Sequence, residues 1–298
     1  RRQVAELIAA PADSVVFTGS GSEADALAIR GAVLAARPGG RRHVITQVSE
    51  HPAVLAACRE LEELHGVDVI SLVLDHHGQV DPAEVAAALT PDTVLVSVMH
   101  ANNETGTIQP IARIARTTKS AGVLLHVDAA QSAGKIDIDV DALGVDLLTV
   151  VGHKMYAPKG IGALYVRPGV RIRALIGGGG QEHGLRAGTE NVAYAVGFGE
   201  AAALAARSLA AGESRRQLAL RDQLEHRLAT LLPGRVHLNG HPVQRLPNTA
   251  NLRIDDAPAL DKKYKHDIDV VVDRIVVRDG IETRLADSSD QNIGAAGM

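Results

Sequence analysis

Short β-branched runs alternate with Ala-rich stretches whose apolar residues recur at three- and four-residue spacing, so strands and helices take turns along most of the chain. The strand runs are "SVVFTG" (14–19), "HVITQVSE" (43–50), "VDVISLVL" (67–74), "TVLVSVMH" (93–100), "GVLLHVDAA" (122–130), "DLLTVVGHK" (146–154) and "IGALYV" (161–166). Such alternation predicts an α/β domain with a mostly parallel sheet, and sites in that architecture lie beyond the strands' carboxyl ends. From Asn191 to Leu232 a long Ala/Leu/Arg segment carries helical spacing and reads as the link to a second unit. "VHLNGHPVQRLPNTANLRI" (236–254) then gives two strand runs across a Gly/Pro turn, suiting a smaller α+β domain. The expected division is a large domain over 1–210, a partial small domain over 211–256 and a charge-dense tail over 257–298. The start, "RRQVAELIAA", reads as mid-helix, as an N-terminally truncated chain would begin. No internal repeat is visible.

Composition narrows the function classes. Among 298 residues the hydrophobic share is 46% and the formal net charge −4, which gives no general pull toward nucleic acid or an anionic membrane. No apolar run approaches the roughly 18 residues of a spanning helix, no signal peptide is visible, and the single cysteine suits a reducing compartment, so a cytoplasmic protein is expected. The single cysteine, Cys58, excludes an intrachain disulfide framework and a cysteine zinc site; no metal site is expected. With two Phe and no Trp, the core must be aliphatic.

The candidate chemistry follows the strands. Lys154 ends "DLLTVVGHK", and a lysine desolvated beside another cation can act as an amine nucleophile, forming a Schiff base with a carbonyl cofactor such as pyridoxal phosphate. On base rate alone it would be a surface lysine. That cofactor asks for a carboxylate at its ring nitrogen, a flat group on its face and donors for its phosphate. Asp128 ends an apolar strand about one βα unit earlier; its plain alternative is a helix N-cap. Gln131 lies one turn on, within reach of the phenolic oxygen. His51 precedes Pro52 at a helix start, where an imidazole either stacks on a ring or caps the helix. "VVFTGSGSEADALAIRG" (15–31) runs from strand through Gly19 and Gly21 into a helix, so backbone N–H groups and the Ser22 hydroxyl suit a phosphate. Gly19, Gly21 and Ala24 also fit the dinucleotide fingerprint, but the acid wanted about 20 residues later is missing, because "GGRRHVITQ" stands there. "HANNETG" (100–106) adds Asn102 and Asn103, or a plain Asn/Gly turn, and "GGGGQEHGLRAGTENV" (177–192) is either a glycine linker or an anion loop bearing Arg186 and Thr189.

Together, "VMHANNETGTIQPI", "HVDAAQSAGK", "GHKMYAPKGIGALYVRPGV" and "GLRAGTENV" resemble, in order and spacing, the NifS-like cysteine desulfurases of the class V aminotransferase group, over about residues 1–255. The resemblance implies a PLP-dependent transferase of fold-type I with a truncated small domain, acting as a homodimer. It makes Lys154 the lysine that carries pyridoxal 5'-phosphate, Asp128 the ring-nitrogen partner, Gln131 the phenolate donor and His51 the stacking ring. Gly21, Ser22 and His153 would hold the phosphate with Thr189 of a second copy of the chain, and Asn103 would face the substrate carboxylate. The implied reaction takes sulfur from L-cysteine, leaving L-alanine and an enzyme persulfide for iron–sulfur cluster assembly or another sulfur-acceptor protein. L-selenocysteine stays open as substrate, because "TVVGHK" and "ANNETG" also resemble selenocysteine lyase relatives.

Two departures stand out. Val151 replaces a serine common before the Gly-His-Lys of the family, removing one phosphate hydroxyl. The family's loop bearing the catalytic cysteine, and the arginine after it, have no counterpart here; "DKKYKHDIDVVVDRIVVRDGIETRLADS" instead resembles a fragment of the damage-inspecting ATPase of excinuclease ABC, with a junction near 256–260. An impaired enzyme, or a non-catalytic cofactor-binding remnant serving as a scaffold, is therefore also expected.

Overall fold

A computed structural model describes residues 1–36 and 42–255 and the backbone of Ile268–Val272. All seven expected strands form: β1 (Val15–Thr18), β2 (His43–Gln47), β3 (Asp68–Leu72), β4 (Thr93–Ser97), β5 (Leu124–Asp128), β6 (Leu147–Val151) and β7 (Gly162–Val166). They make one sheet in the order β1-β7-β6-β5-β4-β2-β3. The helices are α1 (Arg2–Leu7), α2 (Gly21–Ala35), α3 (Pro52–His65), α4 (Pro82–Ala88), α5 (Ile111–Ala121), α6 (Val140–Leu143), α7 (Val192–Ala210) and α8 (Glu213–Leu231). Pairing is parallel from β3 through β6, whereas β7 runs antiparallel to both β6 and β1. The inversion has a local cause: only a 3-10 turn, Gly152–Met155, lies between β6 and β7, and a connection lacking a crossover helix returns antiparallel. Because β7 reverses twice, β1 again runs with β6, and the carboxyl ends of β1, β2, β4, β5 and β6 meet at one edge.

Alternation along each strand sorts the side chains between two layers. Leu95, Leu124 and Leu147 face Leu27, Ala28, Val54 and Leu61 of α2 and α3. Val96, Leu125, Leu148 and Tyr165 face the other way, onto Ile111 and Ile114 of α5, Val4 of α1 and Phe198 of α7. In α3 the buried set Val54, Ala57, Cys58 and Leu61 has the i, i+3, i+4, i+7 spacing of an amphipathic helix, opened by Pro52 and closed by Gly66 at φ 61°.

The long helical segment from Asn191 is two helices, not one, because Gly212 at φ 88° turns the chain between α7 and α8. Beyond them β8 (Val236–Leu238), β9 (Ala250–Ile254) and β10 (Ile268–Val272) form a small antiparallel sheet in the order β10-β9-β8. Buried Arg245 ties this region to α8 through a fork onto Glu225 at 2.6 and 3.0 Å. The expected junction near 256–260 and the rest of the expected tail, apart from Ile268–Val272, lie outside the described residues.

Candidate active site

Lys154 leaves β6 in the 3-10 turn, half-buried, and Asp128 ends the neighbouring strand β5, paired in register with Thr149. Asp128 is 7% exposed, and its Oδ1 accepts from Ala130 N at 2.8 Å. Burial raises its pKa above the ordinary carboxylate value, while the Ala130 hydrogen bond and the neighbouring His51 and Lys154 pull it down. The sheet thus brings Lys154, Asp128 and His51 within electrostatic reach of one another. His51 is exposed at the β2 edge and caps α3, Nδ1 accepting from Ala53 N at 3.2 Å, and the tautomer this requires leaves the Nε2–H side free of that bond.

The candidate anion side of the site lies at the start of α2. Ser20 is the N-cap, its hydroxyl accepting from Glu23 N at 3.1 Å, while Ser22 is exposed in the first turn. Gly21 is required by close approach, because a Cβ there would lie 2.5 Å from Val151 Cγ2. The helix N-terminus is thereby pressed against the end of β6, three residues from Lys154, and its unpaired N–H groups and positive dipole end suit an anion. His153, next to Lys154, is exposed, with its pKa lowered by burial first and then by the charges of Lys154 and Lys159.

The glycine-rich segment is a held loop instead of a linker. Arg186 donates to Glu23 at 2.7 Å, and Glu23 also accepts from Gly19 N at 2.8 Å, so Arg186 is spent on pinning the loop to α2. Glu182 accepts from Phe17 N at 2.8 Å and pairs with Arg1 at 2.6 Å, which holds Glu182 and His183 in the left-handed region at φ 49° and 58°. Thr189 is exposed on this loop, at the surface of the chain. Asn102 builds its turn, its Oδ1 accepting from Glu104 N and Thr105 N at 2.9 Å, whereas the adjacent Asn103 is exposed; Gln131 is half-buried just past Asp128.

Behind this edge lies a polar layer that the motifs do not reveal. Glu50 is fully buried, accepting from Met99 N and Gln47 Nε2 at 2.7 Å, and burial pushes its carboxyl up to about 8. His100 bonds Ser132 Oγ at 2.9 Å, and burial lowers it to about 4. Asp25, His126, Thr149 and Ser97 lie between α2 and the sheet, all buried. The available signal is positional: a histidine or aspartate at an inward strand position displaces an apolar side chain. A cavity of about 660 Å³ opens between residues 154–158, α7 and the start of α8, and its lining includes Lys154 but neither Asp128 nor His51, so it is not the floor of the edge described above. Among the described residues no group of His, Cys, Asp or Glu has a metal-binding arrangement, and no helix is long and apolar enough to cross a membrane.

Residues 1–285 match the family "Aminotransferase class-V". Cysteine desulfurase 2 of Trichormus variabilis is 48% identical over 252 residues, which cover 85% of this chain and 62% of that protein. The chain thus spans less than two thirds of the length of that curated relative. Among solved structures, a NifS-like protein aligns with a TM-score of 0.79 at 36% identity, covering 85% of this chain and 68% of the other. A structure titled SspA in complex with cysteine aligns at 0.73 and 36%, covering 85% and 71%.

Proposed function

From the premise that this chain belongs to the class V aminotransferase family, in its NifS-like branch, we propose that it holds pyridoxal 5'-phosphate on Lys154 and that the protein from which its fold derives removes sulfur from L-cysteine. The single observation that carries this reading is the meeting, at one sheet edge, of an amine (Lys154), a buried acid (Asp128), an imidazole (His51) and a helix N-terminus with Ser22. These groups fit the cofactor: the acid suits its ring nitrogen, the imidazole its face, and the α2 N–H groups with Ser22, Gly21 and His153 its phosphate. When bound, the cofactor supplies an electron sink for the substrate's amino-bearing carbon. Asp128 then keeps the ring nitrogen protonated, Gln131 donates to the phenolic oxygen, and Asn103 meets the substrate carboxylate.

Thr189 completes a phosphate site only from a second copy, and a homodimer is part of the proposal. Support comes from the exposed apolar residues beside that loop on α7, Val192 and Val196, and from Tyr156 at 75% exposure. L-cysteine is the favoured substrate over L-selenocysteine, transfer to a sulfur-acceptor protein is the proposed outlet, and the cytoplasm the proposed compartment.

A second reading, a cofactor-binding chain without sulfur release, is favoured for these 298 residues by Cys58. The persulfide step needs a mobile thiolate, which attacks the substrate sulfur as the carbon–sulfur bond breaks and leaves alanine after protonation. Cys58 is 3% exposed inside α3, and burial pushes its thiol up to about 12. The test is reduction of the cofactor-loaded chain with borohydride, peptide mapping, and an assay for alanine and sulfide with cysteine and a reductant. Fixation on Lys154 without sulfide is expected; fixation on another lysine would overturn the site, and family-like sulfide release the second reading.

A further inference from the structure

Asp25 takes no part in the proposed chemistry, yet it sits on the inward face of α2, 2% exposed, among three titratable groups: Asp128, Glu50 and His126. Strand alternation accounts for the company it keeps. His126 and Asp128 of β5, Thr149 of β6 and Ser97 of β4 share the parity of Leu124, Leu147 and Leu95, and that parity faces α2. The Thr149 hydroxyl is the hydrogen-bond partner of Asp25 and favours its ionised form, against burial and the charges of Asp128 and Glu50. Its Oδ1 has no hydrogen-bond partner, and His126 Nε2 stands 3.7 Å away.

That spacing would make an ion pair only with a protonated imidazole. Burial lowers His126 to about 3, and both ring nitrogens are engaged, Nδ1 with Ser97 Oγ at 2.8 Å and Nε2 with Thr149 Oγ1 at 3.1 Å. An ionised Asp25 would therefore be a buried anion facing a neutral ring, with one oxygen bare and a second carboxylate nearby. That is costly. A neutral acid leaves only a carbonyl oxygen unpartnered. Burial raises both acids, but His51 and Lys154 pull Asp128 back down, whereas Asp128 and Glu50 add to the rise of Asp25 and only its Thr149 hydrogen bond opposes it.

We propose that Asp25 is a positioning residue for Asp128: its carboxyl keeps its proton and donates to Thr149, Thr149 donates to His126 Nε2, and His126 Nδ1–H donates to Ser97, leaving Asp128 as the ionised carboxylate for the ring nitrogen. Each hydrogen bond in this relay uses one proton, and the relay links α2 to β6, β5 and β4 directly behind the site. The inference deepens the cofactor reading and rests on it only for the role of Asp128; the proton on Asp25 is a property of the apoprotein.

The test has an arm for each part. In apoprotein at neutral pH, the infrared difference between wild type and Asp25→Asn should contain the stretch of a protonated buried carboxyl, and its absence would overturn the proposal. In absorbance titrations with pyridoxal 5'-phosphate, Asp25→Leu and the near-isosteric Thr149→Val should each weaken binding about tenfold, while Asp25→Asn stays within about threefold of wild type. In alkaline solution the wild type should lose affinity as a second charge appears beside Asp128, and Asp25→Asn should not. Equal affinity in wild type, Asp25→Leu and Thr149→Val, or the same alkaline loss in wild type and Asp25→Asn, would sink the positioning role. Should Asp25→Leu not fold, Thr149→Val and Asp25→Asn carry the comparison. A wild type that binds no cofactor would defeat the cofactor reading and with it the role of Asp128, while the infrared band decides separately on the proton.

Discussion

The two faces of the central sheet are made by the same strands and follow different rules. On the side of α1, α5 and α7, the inward residues Val96, Leu125, Leu148 and Tyr165 form an apolar contact layer. On the α2 side the same kind of layer begins with Leu95, Leu124 and Leu147, then changes at the strand ends to Ser97, His126, Asp128 and Thr149, all buried. One face is stability alone; the other exchanges apolar contact for hydrogen-bonded polar groups beneath the proposed site. The difference teaches that a functional edge is recognised less by exposed residues than by polar groups occupying core positions.

The sharpest break of that comparison is Lys154→Ala, which should abolish borohydride-fixed cofactor entirely while leaving the circular dichroism of the fold intact; residual covalent cofactor at another lysine would contradict it. On the apolar face, Leu125→Ala should cost about 2–5 kcal/mol in urea unfolding yet leave cofactor affinity nearly unchanged. A cofactor effect as large as the stability effect would mean that the two faces are not separable.

Glu50 sharpens the contrast through pH. Its folded-state pKa, about 8, lies above its unfolded value, so the folded chain binds the proton more tightly and the stabilisation is lost as pH rises toward 8. His100 and His126 act in the opposite sense, since their lowered values, about 4 and about 3, let stability rise with pH only up to the ordinary imidazole range. Between about pH 6.5 and 8, Glu50→Gln should therefore remove roughly 1–2 kcal/mol of wild-type decline, read from urea midpoints. Parallel pH profiles would refute the assignment.

Gly21→Ala probes the anion end, where the added methyl meets Val151 at 2.5 Å and must push α2 from the end of β6. A loss of cofactor affinity of about tenfold is expected, and Val151→Ala should recover part of it; no recovery would place the cause elsewhere. The smallest effect belongs to Cys58→Ala, about 1 kcal/mol of stability and no change in sulfide release, since the wild-type thiol should resist alkylation until the chain unfolds.

Much of the proposed site is legible in the sequence because its residues follow strands. "HVDAAQ", "GHK" and "SEHP" each end an apolar run, and the parallel order makes those ends coincide. What escaped was the layer behind them. Asp25 looks like an ordinary helix residue in "SEADALAIRG", and Glu50 looks like a turn residue beside His51. Their significance depends on burial and on each other's charge, neither of which is written in local spacing. Arg186 shows the same dependence, since nothing in the local sequence of its glycine loop names Glu23 and only the fold supplies it as the partner.

The hydrophobic pattern by itself determined the seven strands of the large sheet, the helices between them and, through alternation, which side chains share a face. The sequence also carries the chemical inventory: Lys154 just after β6, Asp128 at the end of β5, His51 before α3 and a Gly/Ser turn before α2. Tertiary structure decided that β7 inserts antiparallel between β1 and β6, which puts the α2 N-terminus against Val151 and beside Lys154. It also set the direction in which burial and neighbouring charge move the titration of the buried groups. A side chain's period is a property of the local backbone, whereas desolvation and charge coupling are properties of everything packed around it, and Asp25, Glu50 and Asp128 acquire them only when α2 and the ends of β2 and β5 come together.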